Sequence, residues 1–276
     1  MPIIGIDYDK CISCEICISA CPSLEVYSKS NKADNKVIFD PEKKCILCGQ
    51  CIAQCPEDAI IYENMGESFT FGEIGELSSL VPYENMFNFL AGNRSTRRYK
   101  KEKVPIEILN KVIKAMEYAP TGANMRPENF VIISDSDLIK KMSDAIVEEF
   151  IKDPSLKEQF SKQLEILAKE MRSPAYFDAP HVIIVSSNFN MMMGGFNIGN
   201  IITYGRLAAQ SLGLGTCWNG WTHLAFHKNP ALKKLAKIRG VIMFKVSLFI
   251  LYFQHKKDLK KNWSWLKNWL RYEVVW

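Results

Sequence analysis

Two copies of one cysteine pattern, C-x2-C-x2-C-x3-C-P, constrain this chain more than any other feature. They fall at Cys11, Cys14, Cys17, Cys21 and Pro22, and again at Cys45, Cys48, Cys51, Cys55 and Pro56, and they use eight of the nine cysteines. Three thiolates on a tight loop can grip three irons of a cubane, and in this spacing the fourth cysteine ligates the other cluster. The pattern predicts two [4Fe-4S] clusters, one held by Cys11, Cys14, Cys17 and Cys55, the other by Cys45, Cys48, Cys51 and Cys21. Such an exchange makes one small domain out of two weak halves. Zinc sites of the C-x2-C type take their four ligands in separated pairs, which two unbroken runs of four, each ending in proline, fit poorly. A disulfide framework calls for export, whereas the opening MPIIGIDYDK has neither a basic nor an apolar signal region.

This stretch resembles the bacterial two-cluster ferredoxins over residues 1–62. The whole chain of 276 residues leaves length for one further domain with a sizeable core. Its formal charge is +5, and two oxidised clusters at about −2 each bring the holo-chain near +1. No nucleic-acid partner is implied. Residues 1–62 carry nine acids against six lysines, so −3 of the total +5 sits there and +8 in the remainder, a division suited to electrostatic docking. The longest apolar run, Gly240 to Phe253, is too short for a membrane span, is interrupted by Lys245, and reads as a buried strand. Oxygen-sensitive clusters and the lack of a signal sequence make a reducing cytoplasm, in an anaerobe, the expected compartment.

Along the chain, Val37–Phe39 and Ala59–Tyr62 read as short strands within the first domain. Residues 63–82, with Gly66, Gly72, Gly75 and Pro82, have linker composition, which leaves 83–276 as the second domain. There, Ile106, Leu109, Val112, Ile113 and Met116 mark an amphipathic helix between Pro105 and Pro120. A strand at Phe130–Ile133, two charged helices within 137–172, a buried strand at His181–Val185 and a long helix from Phe196 to Leu212 follow. In that helix Gly199, Gly205, Ala208 and Ala209 permit close approach of another helix. Strands at 214–218 and 241–253 complete a set of four. Few, irregularly spaced strands predict an α+β domain rather than a doubly wound one.

Three segments could serve an anionic ligand with a planar ring. Arg94, Ser95 and Arg97 in RSTRRY offer two guanidinium groups and a hydroxyl for a phosphate. The loop PTGANMRP offers the amide of Asn124, and LGLGTCWNG, ending at Asn219 and Gly220, offers backbone N–H donors. None decides the matter alone, but their order resembles the nitroreductase family, flavoenzymes that bind FMN at a homodimer interface, over residues 83–240. That family's first segment reads R-R-S-x-R-x-[FY], so Arg94, Ser95 and Arg97 match and Asn93 replaces the leading arginine. Its loop reads P-[ST]-x-x-N-x-Q-P, so Asn124 and Pro127 match and Arg126 stands where glutamine is common. DAPHVIIV and LAAQSLGLGTCW are similar to the family's central strand and dimer-forming helix. The resemblance places the backbone N–H groups near Asn219 and Gly220 against the flavin N5.

The end of the chain departs from the family, which closes with a Gly-Tyr-Pro turn and a basic residue near the FMN phosphate. Here Trp263, Trp265, Trp269 and Trp276 crowd the last fourteen residues. Such a tail reads as an arm on the partner subunit, as an altered tail that no longer supports the site, or as a basic membrane-surface helix. Cys217 reads as a small buried apolar residue rather than a nucleophile, and the histidines show no metal-ligand spacing. The run Met191–Gly195 suits either a mobile loop or core filling. No Ser-His-Asp order and no G-x-G-x-x-G loop is present. The expectation is an oxidoreductase that passes electrons from two [4Fe-4S] clusters to FMN and on to a nitroaromatic, quinone-like or other unsaturated small molecule, with no catalytic side chain. The expected donor is reduced ferredoxin or another low-potential carrier. The alternative is a non-catalytic electron-transfer or binding module with a degraded flavin site.

Overall fold

The computed structural model describes residues 3–30, 36–64, 76–126, 128–187, 193–236 and 246–253, the last by its backbone alone. The chain divides into two compact units, Met1–Val81 with Thr121–Arg126, and Pro82–Pro120 with Pro127–Trp276. The glycines at 66 and 72 and 75, the start of the Met191–Gly195 run and the tail beyond residue 253 lie outside the described residues.

In the first unit, β1 (Ile3–Ile6) pairs antiparallel with β4 (Ile60–Tyr62), and β2 (Tyr27–Lys29) with β3 (Val37–Phe39). The sequence pattern indicates β3 and β4 but not their partners, because segments this short carry almost no period-2 signal. Two short helices, α1 (Ile16–Ala20) and α2 (Gln50–Ala53), start inside the cysteine motifs and turn Cys17 and Cys51 to the buried side. Those two cysteines pack with Ile3, Val26, Tyr27, Val37, Ala59 and Ile60 in a very small core. The backbone of the two motifs repeats in detail. Ser13, Glu15 and Leu24 have φ of 58°, 61° and 58°, while Leu47, Gly49 and Asp58, displaced by the same offset as Cys45 from Cys11, have 57°, 73° and 47°. A four-residue helix, α3 (Leu77–Leu80), lies in the stretch expected to be a linker.

The second unit begins with α4 (Tyr83–Ala91) and α5 (Ile106–Glu117), followed by β5 (Glu128–Ile133). Next come α6 (Ser136–Lys152) and α7 (Pro154–Glu170), then β6 (His181–Ser187) and α8 (Met193–Ser211). The order ends with β7 (Leu214–Asn219), α9 (Gly220–Lys228), α10 (Leu232–Leu235) and β8 (Val246–Phe253). Asp135 and Asp153 cap α6 and α7, each accepting two backbone N–H bonds. The four strands form one antiparallel sheet in the order β5-β6-β8-β7, which is the expected α+β architecture.

β6 explains why the sheet is covered on both sides. Val182 and Ile184 point toward Ile146, Phe150, Tyr176 and Phe226, while Ile183 and Val185 point toward Leu109, Val112, Met116, Ile198 and Ile202. An uninterrupted apolar run is what a strand buried on both faces requires. Helices α5 and α8 meet closely at Gly205, where a Cβ would stand 2.7 Å from Met116 Sδ. Among the described residues no helix is long and apolar enough to cross a membrane.

His181 opens β6 as a buried structural group. Its Nε2 accepts the Val104 N–H at 2.8 Å, and its Nδ1 lies 2.7 Å from Ser134 Oγ. Burial first, and then the nearby Lys103, lower its pKa from the ordinary 6.5 to about 4. Between those values the unfolded chain binds a proton that the folded chain refuses, so stability is full above pH 6.5 and falls as pH drops toward 4. Urea unfolding followed by tryptophan fluorescence is expected to show this fall, and His181→Gln, though less stable, is expected to show a shallower pH slope over the same range.

Candidate functional site

The cysteines of the first unit gather around two small cavities. One is lined by Cys11, Cys14, Cys17 and Cys55, with Ile6, Ile12, Val37 and Pro56. The other is lined by Cys21, Cys45, Cys48 and Cys51, with Val26, Tyr27, Ile46 and Leu47. Each motif thus gives three cysteines to its own cavity and the last, Cys21 or Cys55, to the opposite one. Among the described residues no three His, Cys, Asp or Glu side chains converge on a single ion. Four cysteines around each cavity suit a cubane, which takes one thiolate per iron. Backbone N–H groups already aim at the outer sulfurs, Leu47 at Cys45 Sγ at 3.3 Å and Ala59 at Cys55 Sγ at 3.2 Å. Burial pushes the Cys17 thiol up to about 11 and raises that of Cys51 as well, so these thiols stay protonated until a metal displaces the proton.

A third, open cavity of about 310 Å³ lies within the second unit, lined by Arg97, Gln163, Phe177, Cys217, Trp218, Asn219, Gly220 and Trp221. Segments far apart in sequence meet there because the RSTRRY stretch runs alongside β7. Ser95 forms a parallel bridge with Thr216, and the Thr96 N–H donates to Thr216 O at 2.8 Å. Gly215 makes this possible, since a Cβ there would lie 2.5 Å from Thr96 Oγ1. Upstream, Asn93 Nδ2 donates to Gln210 Oε1 at 2.7 Å, and Gln210 Nε2 donates to Phe89 O at 2.6 Å. The asparagine at 93 therefore anchors the segment to α8.

Arg97 stands 5.9 Å from the centroid of the Phe177 ring. Asn219 caps α9, its Oδ1 accepting the Thr222 N–H at 3.0 Å while its Nδ2 donates to Ala175 O at 2.6 Å. Its side chain is thus taken up by the fold, and the backbone at the start of α9 is what borders the cavity beside Gly220. Cys217 is buried, and desolvation raises its pKa in spite of Arg97, Ser95 and Arg206, which favour the thiolate. A neutral thiol is consistent with an apolar role.

Of the six residues expected at a flavin, Arg97, Asn219 and Gly220 line this cavity, and Ser95 joins its wall through Cys217. Arg94 is exposed and donates to Asn93 O at 2.8 Å. Asn124 belongs to the first unit, where its Nδ2 donates to Leu47 O at 2.7 Å and Ile46 O at 3.4 Å. Sequence reasoning missed Arg206, which burial makes somewhat less basic and whose Nε lies 3.3 Å from Thr216 Oγ1. The signal was present, since Arg206 is the one charged residue in the whole of α8.

Comparison with known proteins accounts for this arrangement. The model of the nitroreductase family matches residues 90–249, more than half of the chain. The chain belongs to the nitroreductase family. The model of a 4Fe-4S dicluster domain matches residues 3–56, so this is a nitroreductase-family oxidoreductase with a ferredoxin-like 4Fe-4S unit at its start. Similar proteins include iodotyrosine deiodinase 1 of Rattus norvegicus, 38% identical over 66 residues that cover 24% of this chain and 23% of that protein. Iodotyrosine deiodinase of Thermotoga neapolitana is 25% identical over 134 residues, 48% of this chain and 71% of that protein. The chain thus spans about a quarter of the length of the rat relative. A nitroreductase with bound FMN from Desulfitobacterium hafniense shares the fold of this family member, with a TM-score of 0.55 at 20% identity over 68% of this chain and 97% of that one.

The crossed cysteine cavities lead to a direct expectation. Cys21→Ser is expected to alter the low-temperature EPR signal of the cluster held at Cys45, Cys48 and Cys51 and to leave the other signal unchanged; damage confined to the cluster of Cys11, Cys14 and Cys17 would show ligation within each motif.

Proposed function

We propose that this nitroreductase-family chain holds two [4Fe-4S] clusters on its crossed cysteines and one FMN in the cavity of its second unit, and reduces a small unsaturated organic acceptor. The observation that carries the flavin half is the cavity where Arg97, Asn219 and Gly220 meet. FMN, when bound, can take up electrons singly and release them as a pair, while the clusters pass one electron at a time. The protein's own part is binding and orientation. Arg97 on the cavity wall, with Ser95 and Arg206 behind it at Cys217, gives a positive, hydrogen-bonding side suited to a phosphate dianion. The start of α9 directs backbone N–H groups and the positive end of its dipole into the cavity beside Gly220. Trp218 and Trp221 supply apolar walls that narrow the access of water.

No acid-base side chain is required, and the acceptor class is nitroaromatic, quinone-like or otherwise unsaturated. The deiodinase names of the similar proteins favour an aromatic member of that class. Low-potential clusters near −400 mV or below can reduce a flavin downhill, so the donor is a one-electron carrier such as reduced ferredoxin. A homodimer, usual for this fold, completes the proposal. One observation favours a second reading, a non-catalytic electron-transfer module: the Asn124 amide, expected at the flavin, is taken up by the Ile46 and Leu47 carbonyls.

Oxygen-free purification followed by flavin and iron assay separates the two readings, with one FMN and about eight irons per chain expected from two four-cysteine clusters. In Arg97→Ala, loss of a charge-assisted contact of about 1.5–3 kcal/mol is expected to weaken FMN binding roughly ten- to a hundredfold with iron unchanged. Full iron without flavin in the unaltered chain favours the module, and undiminished flavin in Arg97→Ala removes that residue from the site.

A further inference from the structure

The two cysteine cavities are alike in backbone but unequal in hydrogen bonding. Backbone N–H groups face sulfurs in both, those of Ala59 at Cys55 and of Cys17 and Ile18 at Cys17 in the first, those of Leu47 at Cys45 and of Ile52 at Cys51 in the second. The second cavity differs in having a side-chain donor as well, because the Tyr27 hydroxyl donates to Cys51 Sγ at 3.3 Å. Tyr27 is 2% exposed, and its ring packs 5.7 Å from that of Phe39, its cross-strand neighbour. The hydroxyl is thus presented to the sulfur by a ring that is held in place. A buried phenol needs such a partner, and a ligating thiolate is a better acceptor than the thiol.

Asn124 adds to the same side. Its Nδ2 donates to Ile46 O, the carbonyl of the peptide whose N–H, that of Leu47, points at Cys45 Sγ. Hydrogen bonds in series polarise one another, so this contact strengthens the N–H as a donor to the sulfur.

We infer that Tyr27 makes the two clusters unequal, placing the one held by Cys21, Cys45, Cys48 and Cys51 at the more positive potential, so that it receives the first electron. The inference rests on the two-cluster reading above. Reduction adds one electron and no proton to the cluster, and Tyr27 keeps its own proton throughout. The added charge spreads onto the sulfurs, so a donor aimed at a sulfur stabilises the reduced state more than the oxidised one. Burial of Tyr27 and Cys51 excludes the water that would weaken this difference.

The test is an EPR-monitored titration of the full, anaerobically purified chain with dithionite as a one-electron reductant. In the unaltered protein the first signal to develop is expected to be the one that Cys21→Ser perturbs. In Tyr27→Phe, with iron and sulfide contents unchanged, the potential of that cluster is expected to fall enough to shift the partition of the first electron roughly tenfold, about 59 mV for a one-electron step, while the other cluster stays put. The inference is overturned if the first electron enters the cluster of Cys11, Cys14 and Cys17, or if Tyr27→Phe with full iron moves both potentials equally or neither. Where Tyr27→Phe loses iron, the order of reduction in the unaltered chain decides alone. An unaltered chain that holds iron for fewer than two clusters overturns the underlying reading together with the inference.

Discussion

Cys21 and Cys55 each reach away from their own motif to the opposite cavity, and the first unit depends on that exchange. Its apolar core is too small to hold two sheets of two strands together, and part of it consists of Cys17 and Cys51 themselves. A two-stranded ribbon is marginal alone in water. With the last cysteine of each half on the far side, neither half can close its cavity without the other. Under the proposed ligation, metal binding and folding are one event.

The second unit works the other way, by packing. Its β6 places apolar side chains alternately into two helical layers, so the strand at the centre of the frame is held on both faces by packing alone. Against that frame the RSTRRY stretch is held by short-range devices: the bridge from Ser95 to Thr216, the room left at Gly215, and the amide pair of Asn93 and Gln210. Arg97 lines the cavity just after these anchors, while Arg94, at the start of the same stretch, turns back to the carbonyl of Asn93.

Much of this was legible in the residues, for identifiable reasons. The cysteine motifs state their chemistry through spacing, α5 through its periodicity, and β6 through an apolar run long enough to cross a covered sheet. Close approach of α8 was readable at Gly205, where Met116 takes the space that a side chain would fill. The missed parts were those in which distant residues decide. β1 and β2 are too short to show a period, and their pairing is set by the cysteine loops they flank. Asn124 matches a flavin-contacting pattern, and that its amide donates to the carbonyls of Ile46 and Leu47 is a contact no local pattern registers. Arg206 could have been found as a lone charge in an otherwise uncharged helix, a placement that makes sense only when something anionic or polar faces it.

The left-handed residues shared by the two motifs carry one more implication. Of Ser13, Glu15, Leu24, Leu47, Gly49 and Asp58, only one is a glycine, so at the other five a side chain opposes the turn by about 1–2 kcal/mol. Two halves that keep the same contorted path with different residues follow what the loop must enclose rather than what its residues prefer. Under the proposed ligation the bound metal is what offsets that strain, so the supply of iron would set how long the first unit resists proteolysis.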